Sequence, residues 1–324
     1  MGVREPTLLI DDPQEAGLLL AKGHLVAFPT ETVYGLGGAI DQATTIRGIF
    51  EAKGRPADNP LIVHLSQRSV LESVVAEIPL MAEEFMEAFW PGPLTLVFKK
   101  QPWVSELVTA GLESVAVRSP SSEIAREILL ACQKPIAAPS ANRSGRPSAT
   151  TWEAVAEDLW GHIDAIFRGP PCRVGIESTV VDCTGVQPEL LRAGGVSIEQ
   201  LLSVRPDIIV LQRDAAAANS PGLRHRHYQP KARVVLSTEP NLLSPDRSLA
   251  LLSHTPQPAG DEFGLYLCCA SLENYATELY AFFRQADRCG IRQIYCEVVQ
   301  EKGVGRAIMD RLRRAASQGD DEGK

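Results

Sequence analysis

Apolar positions along this 324-residue chain cluster in short runs, and the runs are separated by polar turns rich in proline and glycine. Residues 25–28, 61–64, 94–98, 115–118, 135–138, 162–167 and 190–194 have the length and apolar character of strands. Between them the apolar period lengthens. Residues 12–23 open on Asp12 and Pro13, repeat apolar residues at Ala16, Leu19 and Leu20 and stop at Gly23, which predicts a helix. Further helices are predicted over 44–52, 68–77, 80–88 and 122–132, from Thr151 onward, and over 197–203. Strands alternating with helices predict an α/β fold. Over 175–182, hydroxyl and β-branched residues alternate; this predicts a strand with Glu177 and Thr179 on one face and Ser178 and Val180 on the other.

From 206 to 231 the periodicity lapses. Four alanines are followed by SPGLRHRHYQP, in which two histidines, two arginines and a tyrosine occupy five positions, a denser set of functional groups than plain linkers carry. Beyond it, strands at 232–236, 249–253, 264–268 and 293–298 alternate with helices at 272–287 and 305–315, predicting a small α/β unit with a parallel sheet. No G-x-G-x-x-G opens a helix after its first strand, and no catalytic set is visible in it. The expected organisation is a catalytic domain over 1–205, an interdomain linker over 206–231, a second domain over 232–316 and a disordered polar tail over 317–324.

Composition narrows the function classes. With 44% hydrophobic and 22% charged residues and no run near the roughly 20 apolar residues of a membrane span, the chain reads as a globular protein of the cytoplasm. Its N-terminus is too acidic for a secretory signal. Seven cysteines without a C-x-x-C pair argue against a disulfide framework or a zinc site. A net charge of −8 weighs against wrapping a nucleic acid, direct tRNA binding included. The cations Lys53, Arg55, Arg118, Arg143, Arg146, Arg192, Arg224 and Arg226 nevertheless fall in the turn-rich segments, which suits a compact anion.

The richest stretch runs from Phe28 to His64. A strand ends at Pro29 and opens into Thr30, Glu31, Thr32, Tyr34 and three glycines, read as a tightly turned polar loop able to hold a ligand. Lys53 and Arg55 flank a glycine at a helix end, where a point charge and a planar fork of donors suit phosphate. The chain turns at Asp58, Asn59 and Pro60 and delivers His64 at the end of the next strand. Arg118 ends another strand, pointing to the rim of a sheet.

PTETVYGL, KGR, NPLIVH, WPGPLTLVF, PSAN followed by SGRPS, and the decorated linker together resemble the YrdC-type family of threonylcarbamoyl-adenylate synthases, in its long form. The resemblance spans about residues 8 to 204 and, more weakly, the remainder. It implies an open twisted mixed sheet with flanking helices and a concave active site, joined to a small Rossmann-like domain. It further implies synthesis of threonylcarbamoyl-AMP and pyrophosphate from L-threonine, bicarbonate or CO2, and ATP, the product passing to the machinery that modifies an adenosine of tRNA. Carried over position by position, Lys53, Arg55, Asn59, Ser114, Ser140, Ser148, Arg192 and Tyr228 would serve ATP, with Lys53 and Arg55 as the catalytic cations. Thr32, His64, Arg118, the Ala138 backbone and Ser178 would serve L-threonine. Mg2+ is expected to accompany ATP on phosphate oxygens and water rather than on a protein metal site. Two alternatives are an RNA-binding module without ATP turnover and a carbamoyl-adenylate enzyme of hydrogenase maturation; the second would normally bring zinc-finger and acylphosphatase-like segments, which this sequence does not contain.

Overall fold

Alternate residues of one strand, Val26–Pro29, supply two different cores. Ala27 packs with the helices of one face, whereas Val26 and Phe28 pack with those of the other. The computed structural model in which this is seen describes residues 6–210, 228–257 and 260–317. Its first sheet comprises β1 (Leu8–Ile10), β2 (Val26–Pro29), β3 (Tyr34–Ala39), β4 (Ile62–His64), β5 (Leu94–Lys99), β6 (Ser114–Arg118), β7 (Ile136–Ala137), β8 (Ala165–Phe167), β9 (Thr179–Asp182), β10 (Glu189–Arg192) and β11 (Ile209–Val210). The order is β1-β8-β2-β3-β7-β4-β6-β5-β9-β10-β11, with parallel and antiparallel pairs mixed. Leu8 and Leu9 at one margin and Ile209 and Val210 at the other are exposed.

The helices are α1 (Pro13–Ala21), α2 (Ala43–Lys53), α3 (Leu80–Phe89), α4 (Glu106–Thr109), α5 (Glu123–Cys132), α6 (Trp152–Leu159) and α7 (Ile198–Val204). The core on the Ala27 face draws on α2, α3, α4, α6 and α7 through Ile46, Phe85, Val108, Val155 and Leu201. On the opposite face α1 and α5 pack near β2 and β8. The rest of that face, carrying Ile62, Val97, Ala116 and Val180, forms a separate small cluster. That half-covered face is what makes room for a site.

A second, all-parallel sheet takes the order β12-β15-β13-β14, from β12 (Arg233–Ser237), β13 (Leu249–Ser253), β14 (Leu265–Cys268) and β15 (Gln293–Glu297). Two helices accompany it, α8 (Leu272–Arg288) and α9 (Gly305–Ala316). One side of α8 is buried through Tyr275, Leu279, Tyr280, Phe283 and Arg284. It docks on the first unit at Gly175, whose φ is +77° and whose added Cβ would stand 2.3 Å from the Thr277 Cα, so only glycine allows the approach. Thr277 donates to the Arg173 carbonyl at 2.9 Å beside it. The mixed sheet, flanking helices and small parallel unit agree with the expected architecture. Among the described residues no helix is long and apolar enough to cross a membrane.

Four local expectations are corrected. The glycine-rich run read as a loop is strand β3, paired antiparallel with β2; only 30–33 turn. The helix expected over 68–77 is a 3-10 turn over Arg68–Ser73, because the β-branched pair Val74 and Val75 leaves it for the sheet, where Val75 bridges Lys100. The strand expected from Gly175 begins only at Thr179, since the positive φ at Gly175 interrupts it. The expected linker begins with a strand, β11, parallel to β10. Residues 211–227, including Arg224 and Arg226, and most of the polar tail lie outside the described residues.

Candidate active site

Over the half-covered face lies a cavity of about 610 Å³, counting its solvent-open mouth. Ile62 and His64, two residues apart on β4, both line it. Arg118 of β6 lies directly across from His64 in register, and it too lines the cavity. The site therefore spreads over the sheet's face and is not confined to its rim. Thr32, Gly35, Ala138, Ser140, Glu177, Ser178, Arg192 and Tyr228 complete most of the wall, together with Arg55. Because β9 starts late, the neighbours Glu177 and Ser178 both line the cavity instead of pointing to opposite faces.

Arg118 is held on three sides. Its guanidinium donates to the Gly92 carbonyl at 3.1 Å and to the Thr32 hydroxyl at 2.9 Å, and it forms a buried ion pair with Glu31 at 2.6 Å. Burial alone would raise the Glu31 pKa, but the Arg118 charge together with the hydrogen bonds to the carboxylate holds it below its usual range. His64 goes the other way: burial first, then Arg118, lower its pKa to about 3, so the ring is neutral at physiological pH. Its Nδ1 lies 3.2 Å from the Ile62 carbonyl. The Ser178 and Thr95 hydroxyls are 2.7 Å apart. A guanidinium fixed by Glu31, which stands outside the cavity wall, with the neutral groups of Thr32, His64 and Ser178 beside it suits a small carboxylate that also carries an amine.

On the other side Arg55 donates to the Asn59 and Pro60 carbonyls at 3.0 to 3.3 Å, and Arg192 donates to the Ser178 carbonyl at 2.9 Å. Burial lowers the pKa of both, that of Arg55 to about 10, which leaves Arg55 charged at neutral pH. Lys53 is buried at the end of α2 and does not line the cavity. Its ammonium donates to the Ser140 and Asn142 carbonyls at 2.5 and 2.6 Å, so it clasps the 139–148 loop from behind. Burial, then the Arg55 charge, push its pKa well down. Asn59 is fully buried behind Arg55, and Ser148 reaches the cavity wall through Glu177, donating at 2.6 Å. Ser114 stands at the opposite end of β6 from Arg118, paired with Lys99, and lies outside the cavity wall. Of the thirteen residues named from sequence, nine thus line the cavity, three stand one layer behind it, and Ser114 is remote.

Sequence reasoning passed over Glu31, Glu177 and the second unit's contribution. Both Glu177 oxygens accept from Tyr280 at 3.0 and 3.2 Å, and Arg311 donates to one of them at 3.0 Å. Burial would raise the Glu177 pKa, but Arg311 and Arg192 bring it below the usual range. The Tyr228 ring stacks on Tyr280 with centroids 5.4 Å apart and lies 5.6 Å from the Arg311 guanidinium carbon. The pairings of Glu177 with Tyr280 and Arg311 span more than a hundred positions and those of Tyr228 with the same two residues more than fifty, so they leave no local signal.

Two family models match the chain: one described as telomere recombination (the Sua5, YciO and YrdC group) over residues 18–194, and one described as the threonylcarbamoyl-AMP synthase C-terminal domain over 196–317. The threonylcarbamoyl-AMP synthase of Pyrococcus abyssi is 42% identical over 311 residues, 92% of each chain. That of Bacillus subtilis is 41% identical, over 95% of this chain and 94% of its own. A crystal structure of P. abyssi Sua5 complexed with L-threonine superposes with a TM-score of 0.87 at 39% identity, over 96% of this chain and 98% of that one.

Proposed function

The chain belongs to the threonylcarbamoyl-AMP synthase family, and on that premise we propose that its cavity converts L-threonine, bicarbonate or CO2, and ATP into threonylcarbamoyl-AMP and pyrophosphate. The observation that carries this reading is the juxtaposition of a fixed carboxylate clamp, Arg118, with a second set of cations, Arg55 and Arg192, in one cavity. Arg118 takes the threonine carboxylate. Thr32, the Ala138 backbone, Ser178 and neutral His64 surround the amine and hydroxyl without an additional charge. An uncharged neighbour favours the free amine, which alone can attack CO2.

The amine nitrogen forms a bond to the CO2 carbon and loses a proton, giving a carbamate. A carbamate oxygen then bonds to the α-phosphorus of ATP as the bond to the β-phosphate oxygen breaks, and pyrophosphate leaves. Arg55, Arg192, Ser140 and Tyr228 hold the nucleotide, while Lys53, Asn59 and Ser148 fix the segments that present them. Catalysis is charge neutralisation and alignment, with no covalent enzyme intermediate. Mg2+ travels with ATP. Glu177, which lines the cavity, and Glu31, which pairs with Arg118, are each committed to an arginine, and no cluster of three metal-type ligands occurs among the described residues, so phosphate oxygens and water would hold the ion. The enzyme would act in the cytoplasm and pass its product to the tRNA-modifying machinery.

The test is incubation with ATP, Mg2+, bicarbonate and one amino acid at a time. Pyrophosphate is expected with threonine and not without it; equal release with serine would overturn the assignment of the amino-acid pocket.

A further inference from the structure

Arg311, on α9 of the second unit, is wholly buried and touches three separate parts of the cavity's nucleotide side. Its Nε donates to Glu177, which lines the cavity, at 3.0 Å. One terminal nitrogen donates at 2.7 Å to the carbonyl of Ala193, the residue after Arg192. Its guanidinium also lies against the ring of Tyr228. Tyr280 completes the set, bonding Glu177 and stacking on Tyr228. Such an arrangement answers an awkward feature of the site, a carboxylate in the wall of a cavity that must admit a polyphosphate. Left alone, Glu177 would repel the ligand.

We infer that Arg311, supported by Tyr280, is a positioning residue for the nucleotide: it neutralises Glu177 and fixes Arg192 and Tyr228 in one geometry, so the second unit completes the ATP side of the site. The threonine clamp lacks such a direct contact: the guanidinium of Arg118 takes its partners from Gly92, Thr32 and Glu31, all within the first unit. The inference rests on the proposed reaction, and the unaltered protein serves as the control that separates the two. If wild type releases no threonine-dependent pyrophosphate, the reaction is wrong; if it does, the variants judge Arg311.

Arg311→Met should raise KM for ATP at least tenfold, while the threonine dissociation constant, measured calorimetrically without nucleotide, stays within twofold. Arg311→Lys keeps the charge but not the fork and should give an intermediate KM for ATP with threonine binding intact. Adding Glu177→Gln to Arg311→Met removes the uncompensated charge and should recover at least threefold of the lost ATP affinity. An unchanged KM for ATP, a parallel loss of threonine binding in both single variants, or no recovery in the double variant would overturn the inference.

Discussion

His64 is a histidine that does not behave as a pH switch. Its pKa near 3 in the folded protein, against about 6.5 in the unfolded chain, means that only the unfolded chain takes up its proton between those values. Its contribution to stability is therefore complete above about pH 6.5 and is lost as the pH falls toward 3, by up to about 1.4 kcal/mol per unit. Urea unfolding at pH 5, 6 and 7 should show His64→Gln with a shallower acid decline than wild type; equal slopes would refute the buried, neutral ring. The sequence marked this residue and Arg118 because each ends a short apolar run, where a polar side chain stands out. Glu31 was not legible in the same way. Its neighbours in PTETVYGL are equally polar, and its partner Arg118 lies far along the chain.

At the scale of elements, β3 decides where the cations sit. An added Cβ on Gly38 would stand 2.6 Å from the Thr45 side chain and 3.0 Å from that of Ile49, so α2 lies directly on this strand. That contact fixes the helix whose last residue is Lys53. Gly38→Val should overpack it, costing about 1–3 kcal/mol and lowering the urea midpoint at unchanged slope. An unaltered midpoint would show that α2 can shift without penalty. Three glycines in six residues look like a turn when read singly, which is why this strand was misread; their small size serves close packing. The strands rich in valine and isoleucine were read correctly, since there packing and local preference agree.

For the whole molecule, the two units are joined through charged groups taken out of water. Arg284 of α8 is 2% exposed and donates to Asp158 of α6 at 2.8 Å and to the Pro147 carbonyl at 2.5 Å. Arg146 also binds Asp158. Removing one partner of a buried pair costs roughly 3–5 kcal/mol, and the remaining arginine should keep the loss near the lower end. Arg284→Met should therefore unfold earlier in urea and in two steps, with near- and far-ultraviolet signals no longer coincident. A single coincident transition at the wild-type midpoint would mean the join contributes nothing. This level was the least readable from sequence, because the second unit's apolar periods announced a separate fold while its buried arginines bind groups more than a hundred positions away.

One margin of the first sheet has a consequence of its own. Among the described residues its outermost strand, β1, is three residues long, although the Leu8 and Leu9 side chains are exposed there. A strand that short presents too few amides and carbonyls for an intruding chain to recover the entropy it would lose on binding, so its apolar side chains can face solvent without seeding aggregates.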